Sequence, residues 1–130
     1  MIAVDTNVVL RLILADDERQ LAAIRALMAR ETLFVSLTVL LEVGWVLASR
    51  YRLPRAAVAQ ALTSIEALEG VHVARRDLVG WAIERYRSGA DWADMVHIVG
   101  ASKVGSFATL DRDLHRRAAS DAAVSIELLA

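Results

Sequence analysis

Five acidic residues in this chain stand where a carboxylate could do chemistry. Asp5 ends the apolar run MIAV and is followed by Thr6 and Asn7. Glu42, inside TVLLEVGWVL, is the only ionisable residue between Glu31 and Arg50. Asp91 and Asp94 lie in GADWAD, and Asp111 follows SFATL, two residues after Thr109. Carboxylates gathered at one place cannot all stay ionised unaided, because each pair at ~4 Å repels by ~4 kcal/mol at an effective dielectric of about 20. Protons or a divalent cation must relieve the crowding. Oxygen ligands without cysteine or histidine favour magnesium or manganese over zinc. At the open edge of a sheet, such an ion suits phosphate chemistry, lowering the pKa of water and shielding a phosphate oxygen.

Those acids need a fold that gathers them. Residues 2–4 (IAV) form a short continuous apolar run, the pattern of a strand buried on both faces. A helix is expected over 16–31, with Asp16 or Asp17 as its cap and Leu21, Ile24, Leu27 and Met28 on one face. Residues 33–36 read as a second strand, and 38–51 as a mostly apolar helix that Ser36 or Thr38 can cap. Pro54 marks the first turn of a helix reaching Gly70, before a weak third strand at 71–74. Helices are expected over 77–89, capped by Asp77, and over about 93–103, closing at Gly105. Strand-like 106–110, a short helix 112–119 and a last strand 123–129 complete the chain. No element is assigned to residues 6–15.

Strands alternating with helices imply an α/β fold: a three-layer α/β/α sandwich around a mostly parallel, roughly five-stranded sheet. In such sheets ligands collect at the carboxyl ends of the strands. Asp5, Asp111 and Thr109 fall there directly. Asp91, Asp94 and Glu42 lie near the starts of helices that begin at the same edge. Glu42 shares an apolar stripe with Val39, Val43 and Val46, so it is expected to be buried and to need a partner, either Arg11 or a metal.

The 130 residues suit a single domain over 1–130, long enough for a substantial core. The apolar fraction of 56% exceeds the usual ~45–50% and hints at a hydrophobic interface with another chain. With 15 basic and 16 acidic residues, a nucleic-acid substrate would have to be met by a local basic patch rather than by net charge. The absence of cysteine excludes disulfides and thiolate metal sites. No signal-peptide pattern or spanning apolar segment is evident, so a cytoplasmic location is the expectation.

Four stretches in order, IAVDTNVVLR, SLTVLLEVGWVL, GADWADMVHIVGA and FATLDRDL, resemble the PIN-domain family, and within it the VapC-type toxins of toxin–antitoxin pairs. The resemblance implies a Mg2+-dependent (or Mn2+-dependent) endoribonuclease. Carried over by motif, Asp5, Glu42, Asp94 and Asp111 are its catalytic acids. Asp5 and Asp94 would be the principal metal ligands, with Glu42 and Asp111 as further ligands or water-positioning groups. Thr6, Asn7, Ser36 and Thr109 match the polar residues that orient these acids. Asp91 has two open roles, capping its helix or holding the metal through water. The implied partners are an RNA substrate, often a tRNA or ribosomal RNA, a cognate antitoxin protein and a second copy of the chain in a homodimer.

Plainer readings exist for several residues. Taken alone, Asp5 reads as a cap, and capping accounts for either Asp111 or Asp113, of which Asp111 is assigned to the site. His97 lies three residues after Asp94 on the same helical face, but an oxygen-rich magnesium site does not need it. Arg112, Arg116 and Arg117 make a solvated helix face or a phosphate-positioning patch; Arg11, Arg112 and Arg116 are the candidate RNA contacts. Trp45 and Trp81 fall on apolar helices as core or dimer contacts, leaving Trp92 as the candidate for base stacking. A dehalogenase-like phosphatase would want an acid where Asn7 stands, and a dinucleotide-binding domain would want a glycine-rich first turn. A PIN-fold binding module without significant nuclease activity is the alternative from a different class.

Overall fold

The computed structural model describes residues 1–118 and 120–130. Its elements run β1 (Ile2–Ala3), α1 (Thr6–Leu14), α2 (Glu18–Met28), β2 (Leu33–Val35), α3 (Leu37–Ser49) and α4 (Arg55–Ala67). They continue with β3 (Val71–Val73), α5 (Arg76–Arg87), α6 (Trp92–Gly100), β4 (Ser106–Thr109), α7 (Arg112–Ala118) and β5 (Ser125–Leu128). Ala119, the last residue of the expected final helix, lies outside the described residues.

The class is α/β, and every strand pair is parallel. Parallel neighbours need a crossover, and helices supply it between β1 and β2, β2 and β3, and β4 and β5. The five strands pair as two ladders, β1-β2-β3 and β4-β5, rather than as one continuous sheet. The register sets Ile2 opposite Leu33, Leu33 opposite Val71, and Phe107 opposite Ile126. With only Ile2 and Ala3, β1 offers few groups for a second partner. It is therefore an edge strand, and both its residues are exposed, against the expectation of a strand buried on both faces.

Local chemistry explains where the helices begin. Asp17 caps α2 by accepting from Gln20 N at 3.0 Å, and Ser36 caps α3 by accepting from Val39 N at 3.3 Å. α5 starts differently from expectation: Arg75 precedes it in the left-handed region at φ 48°, while Asp77 lies inside the first turn and pairs with Arg75. α1 is an element with no counterpart in the sequence reading. Its start at Thr6 turns Asp5 into a cap.

The core is apolar throughout. Val9 from α1, Leu33 and Val35 from β2, Leu40, Val43 and Leu47 from α3, and Met95 and Ile98 from α6 are almost wholly buried. α3 packs against α1 on one side and α6 on another, so it lies between the two elements that carry Asp5 and Asp94 nearby. Among the described residues no helix is long and apolar enough to cross a membrane.

Candidate active site

The first part of the site is built by α1 and α3. Asp5 Oδ1 accepts from Val8 N at 3.2 Å, which satisfies one of the orphan donors at the start of α1. The next residue, Thr6, donates its hydroxyl to Glu42 Oε1 on α3. Asp5, Thr6, Asn7 and Glu42 line a groove of about 800 Å³ together with Arg11, Trp45, Arg50 and Tyr51. Glu42 is exposed in this groove rather than buried, because its apolar neighbour Val43 faces the core while Glu42 points to solvent. Nor does Arg11 neutralise it. Arg11 donates instead to Asp16 Oδ1 at 2.7 Å and to the Tyr51 hydroxyl at 3.4 Å.

The second part gathers around α6. Asp91 Oδ2 accepts from Asp94 N at 3.0 Å, so Asp91 caps this helix, as one of its two open roles required. Asp94 sits one turn in and is half-buried. Its carboxyl is pushed above the ordinary aspartate range, first by desolvation, then by the charges of Asp91 and Asp111; Asp113 adds to the effect and His97 opposes it. Asp94 therefore carries negative charge in a field that disfavours it. His97 itself is exposed.

Asp111 joins this field from the end of β4. Thr109 Oγ1 accepts from Asp111 N at 3.0 Å and holds the turn. Asp111 Oδ1 in turn accepts from Asp113 N at 2.8 Å and Leu114 N at 3.1 Å. Of the two acids able to cap α7, Asp111 does so, and Asp113 is exposed to solvent. Asp113 pairs with Arg116 and, at 3.6 Å, with Arg117, and its pKa is lowered chiefly by the Arg116 hydrogen bond. Arg116 is committed to that pair, while Arg112 is exposed, with one long contact to Ala130 O at 3.5 Å. Ser36, besides capping α3, shares a hydrogen bond with the Thr38 hydroxyl at 3.0 Å.

Three features that sequence reasoning missed fix the two parts relative to each other. Trp92 is buried against α3, its Nε1 donating to Leu40 O at 2.9 Å and its ring lying edge-on to Tyr86. It anchors the acid-bearing start of α6 and is not available to stack on a base. Gly44 makes room for it: a Cβ there would stand 2.3 Å from Trp92 Cδ1. Arg55, at the start of α4, donates to both Tyr86 O and Ala90 O at 2.7 Å and lies 4.6 Å from the centre of the Tyr86 ring. It clamps the turn that leads into Asp91. Basic residues after Pro54 gave no sequence signal for such a role. Trp45 is the converse correction: expected as a core or dimer residue, it is 59% exposed and lines the groove one turn from Glu42.

Among the described residues no three His, Asp or Glu side chains are drawn together closely enough to hold a metal ion. Asp5 and Asp91 each spend one oxygen on one backbone N–H, and Asp111 one oxygen on two, but a carboxylate has two oxygens and about four acceptor sites. The donor set is all oxygen, and the Asp94 carboxyl is crowded by the charges of Asp91 and Asp111. Both properties fit a hard divalent ion.

Comparison with known proteins gives one family: the PIN domain, matched over residues 2–120, a span that contains all four candidate catalytic acids. No curated protein and no solved structure matches the chain. The match covers most of the sequence, and the parallel α/β architecture agrees with it, so this chain belongs to the PIN domain family, whose fold is generally that of a nuclease.

Proposed function

We propose that this chain is a divalent-metal-dependent endoribonuclease and the toxin of a VapBC-type toxin–antitoxin pair. One observation carries the reading: in a chain of a nuclease family, Asp94 is crowded by the carboxylates of Asp91 and Asp111 at the start of α6, which together with desolvation push its carboxyl above the ordinary aspartate range. Asp5 and Asp94 would hold Mg2+ or Mn2+, with Glu42 and Asp111 contributing further oxygens. When bound, the ion supplies Lewis acidity at a phosphodiester. The chain's own groups do the rest. Thr6 fixes the carboxylate of Glu42 toward the groove, so that Glu42 can accept the proton of an attacking water. The water oxygen bonds to phosphorus as the phosphorus–oxygen bond to the next nucleotide breaks, and the departing oxygen takes up a proton. Trp92 and Arg55 keep Asp91 and Asp94 in place during this exchange.

The reading further takes tRNA or ribosomal RNA as the substrate class, an antitoxin protein as the inhibitor, a homodimer as the assembly and the cytoplasm as the location. A PIN-fold binding module is the competing reading. It draws on the capping bonds of Asp5, Asp91 and Asp111, which give those acids a purely structural use.

Cleavage of end-labelled tRNA and ribosomal RNA separates the two. Discrete cuts that need Mg2+ or Mn2+, stop in EDTA and are lost in Asp5→Asn support the nuclease. Equal cutting by the mutant, or none by the wild type, rejects it.

A further inference from the structure

We infer that Trp45 is a stacking platform for an unpaired nucleobase, with Arg11 and Arg50 holding the adjoining phosphates of a single-stranded RNA segment laid along the α1–α3 groove. The inference rests on the nuclease reading and names the form of RNA that the site accepts.

The position of Trp45 is the main ground. A tryptophan 59% exposed on a chain with this much core is unusual in itself, since indoles dominate burial energetics wherever they can be packed. Trp45 follows Glu42 by three residues, so both project from one face of α3. It lines the groove that holds Asp5 and Glu42, and it also borders a smaller groove, about 260 Å³, lined by Asp91, Trp92 and Ala93. Leu41 and Trp45 line both grooves, so the indole borders the way from one acid-bearing groove to the other. Every base has a π-face, so stacking there accepts any sequence but requires the base to be unpaired.

The cations supply the second ground. Arg11 is held by Asp16 and Tyr51 through one hydrogen bond from each terminal nitrogen. A guanidinium has five N–H donors, so three remain for a phosphate. Arg50 lines the same groove, one residue before Tyr51. The groove is thus acidic where the cut would occur and basic along the flank. A second protein surface fits it less well, because covering Trp45 would also bury Glu42 and Arg50, each costly to desolvate unless individually paired.

The test is binding, measured without cleavage. A fluorescein-labelled RNA octamer of mixed, non-self-complementary sequence is titrated in EDTA and followed by anisotropy, beside the same octamer annealed to its complement. Wild type should bind the single strand more tightly than the duplex. Trp45→Ala should weaken single-strand binding roughly 10- to 100-fold, the size of one base–aromatic stack, and Trp45→Phe should recover most of it. Duplex binding should be the same in all three. Because Trp45 is exposed, the melting temperature of Trp45→Ala should match wild type, which excludes misfolding as the cause.

Equal binding by wild type and Trp45→Ala, or no single-strand binding by wild type, overturns the inference. So does a Trp45→Ala protein that changes sedimentation from dimer to monomer while its affinity for the octamer stays the same, since Trp45 would then be an interface between copies. The nuclease reading fails separately. Trp45-dependent binding without any metal-dependent cleavage leaves the platform standing and removes the nuclease. Cleavage with Trp45-independent binding does the reverse.

Discussion

Replacing Gly44 by alanine sets two physical effects against each other with opposite signs. Gly44 lies inside α3, where alanine is favoured over glycine by ~1 kcal/mol on helix propensity alone. The structure demands the other outcome. The new Cβ would lie 2.3 Å from Trp92 Cδ1 and 2.5 Å from Nε1, well inside contact. Trp92 cannot yield cheaply, because it is only 6% exposed, packs edge-on to Tyr86 and donates to Leu40 O at 2.9 Å. Overpacking a core costs about 1–3 kcal/mol, and losing the indole hydrogen bond adds about 1 kcal/mol. After the propensity gain, Gly44→Ala should destabilise the protein by roughly 1–3 kcal/mol. Urea unfolding followed by circular dichroism, in EDTA at neutral pH, reads this as a lower midpoint at an unchanged slope. The same change made in a Trp92→Leu background should be neutral or stabilising, since the clash is gone. A Gly44→Ala protein as stable as wild type, or the same shift in both backgrounds, would refute the packing argument.

Asp94 gives a prediction in pH. Its folded pKa is raised, mainly by desolvation, whereas the unfolded carboxyl titrates near its ordinary value of about 3.9. Below both values the group is protonated in either state and costs nothing; stability then falls as pH rises from ~3.9 through the folded pKa, and the full penalty remains above it. Asp94→Asn should therefore raise the melting temperature at pH 7 in EDTA and leave it unchanged near pH 3; equal effects at both values would contradict the assignment. Arg55→Met removes two 2.7 Å hydrogen bonds and the contact with the Tyr86 ring, and should cost about 1–2 kcal/mol in urea unfolding after allowance for solvent screening. A loss under about 0.3 kcal/mol would remove the clamp from the account. Thr6→Val keeps the shape of its side chain but withdraws the donor from Glu42, so catalysis should fall severalfold while the melting temperature holds. Unchanged cleavage would show that Glu42 needs no such orientation.

Much of this arrangement could be read in the residues beforehand, and what could not has identifiable causes. Short-range signals worked: Asp17 and Ser36 cap the helices they precede, and the apolar runs at 33–35 and 71–73 are strands. The acids at strand ends and helix starts were legible for the same reason, since position along an element is a local property. Residues 6–14 were harder. After Asp5, Thr6 and Asn7 the run VVLRLIL is apolar at every position but Arg11, so the helical period of α1 is only weakly marked. The tryptophans show the deeper difficulty. Trp92 is flanked by acids and reads as an edge residue, yet it is buried, because a glycine on another helix leaves a space for its ring. Trp45 has apolar neighbours and reads as core, yet helix phase turns it outward beside Glu42. Which face of an apolar helix is covered depends on what packs against it, and no local pattern contains that information.

In the proposed nuclease, Asp5 just before α1, Glu42 on α3, Asp94 on α6 and Asp111 just after β4 serve one metal. Titration of Mn2+ into the protein, followed by the loss of the free-ion electron paramagnetic resonance signal, tests it most directly. Wild type should bind Mn2+ saturably, and Asp5→Asn alone and Asp94→Asn alone should each weaken that binding strongly, since each removes an oxygen from the same ion. Binding that survives either substitution undiminished would mean that the two parts of the site do not hold one ion together.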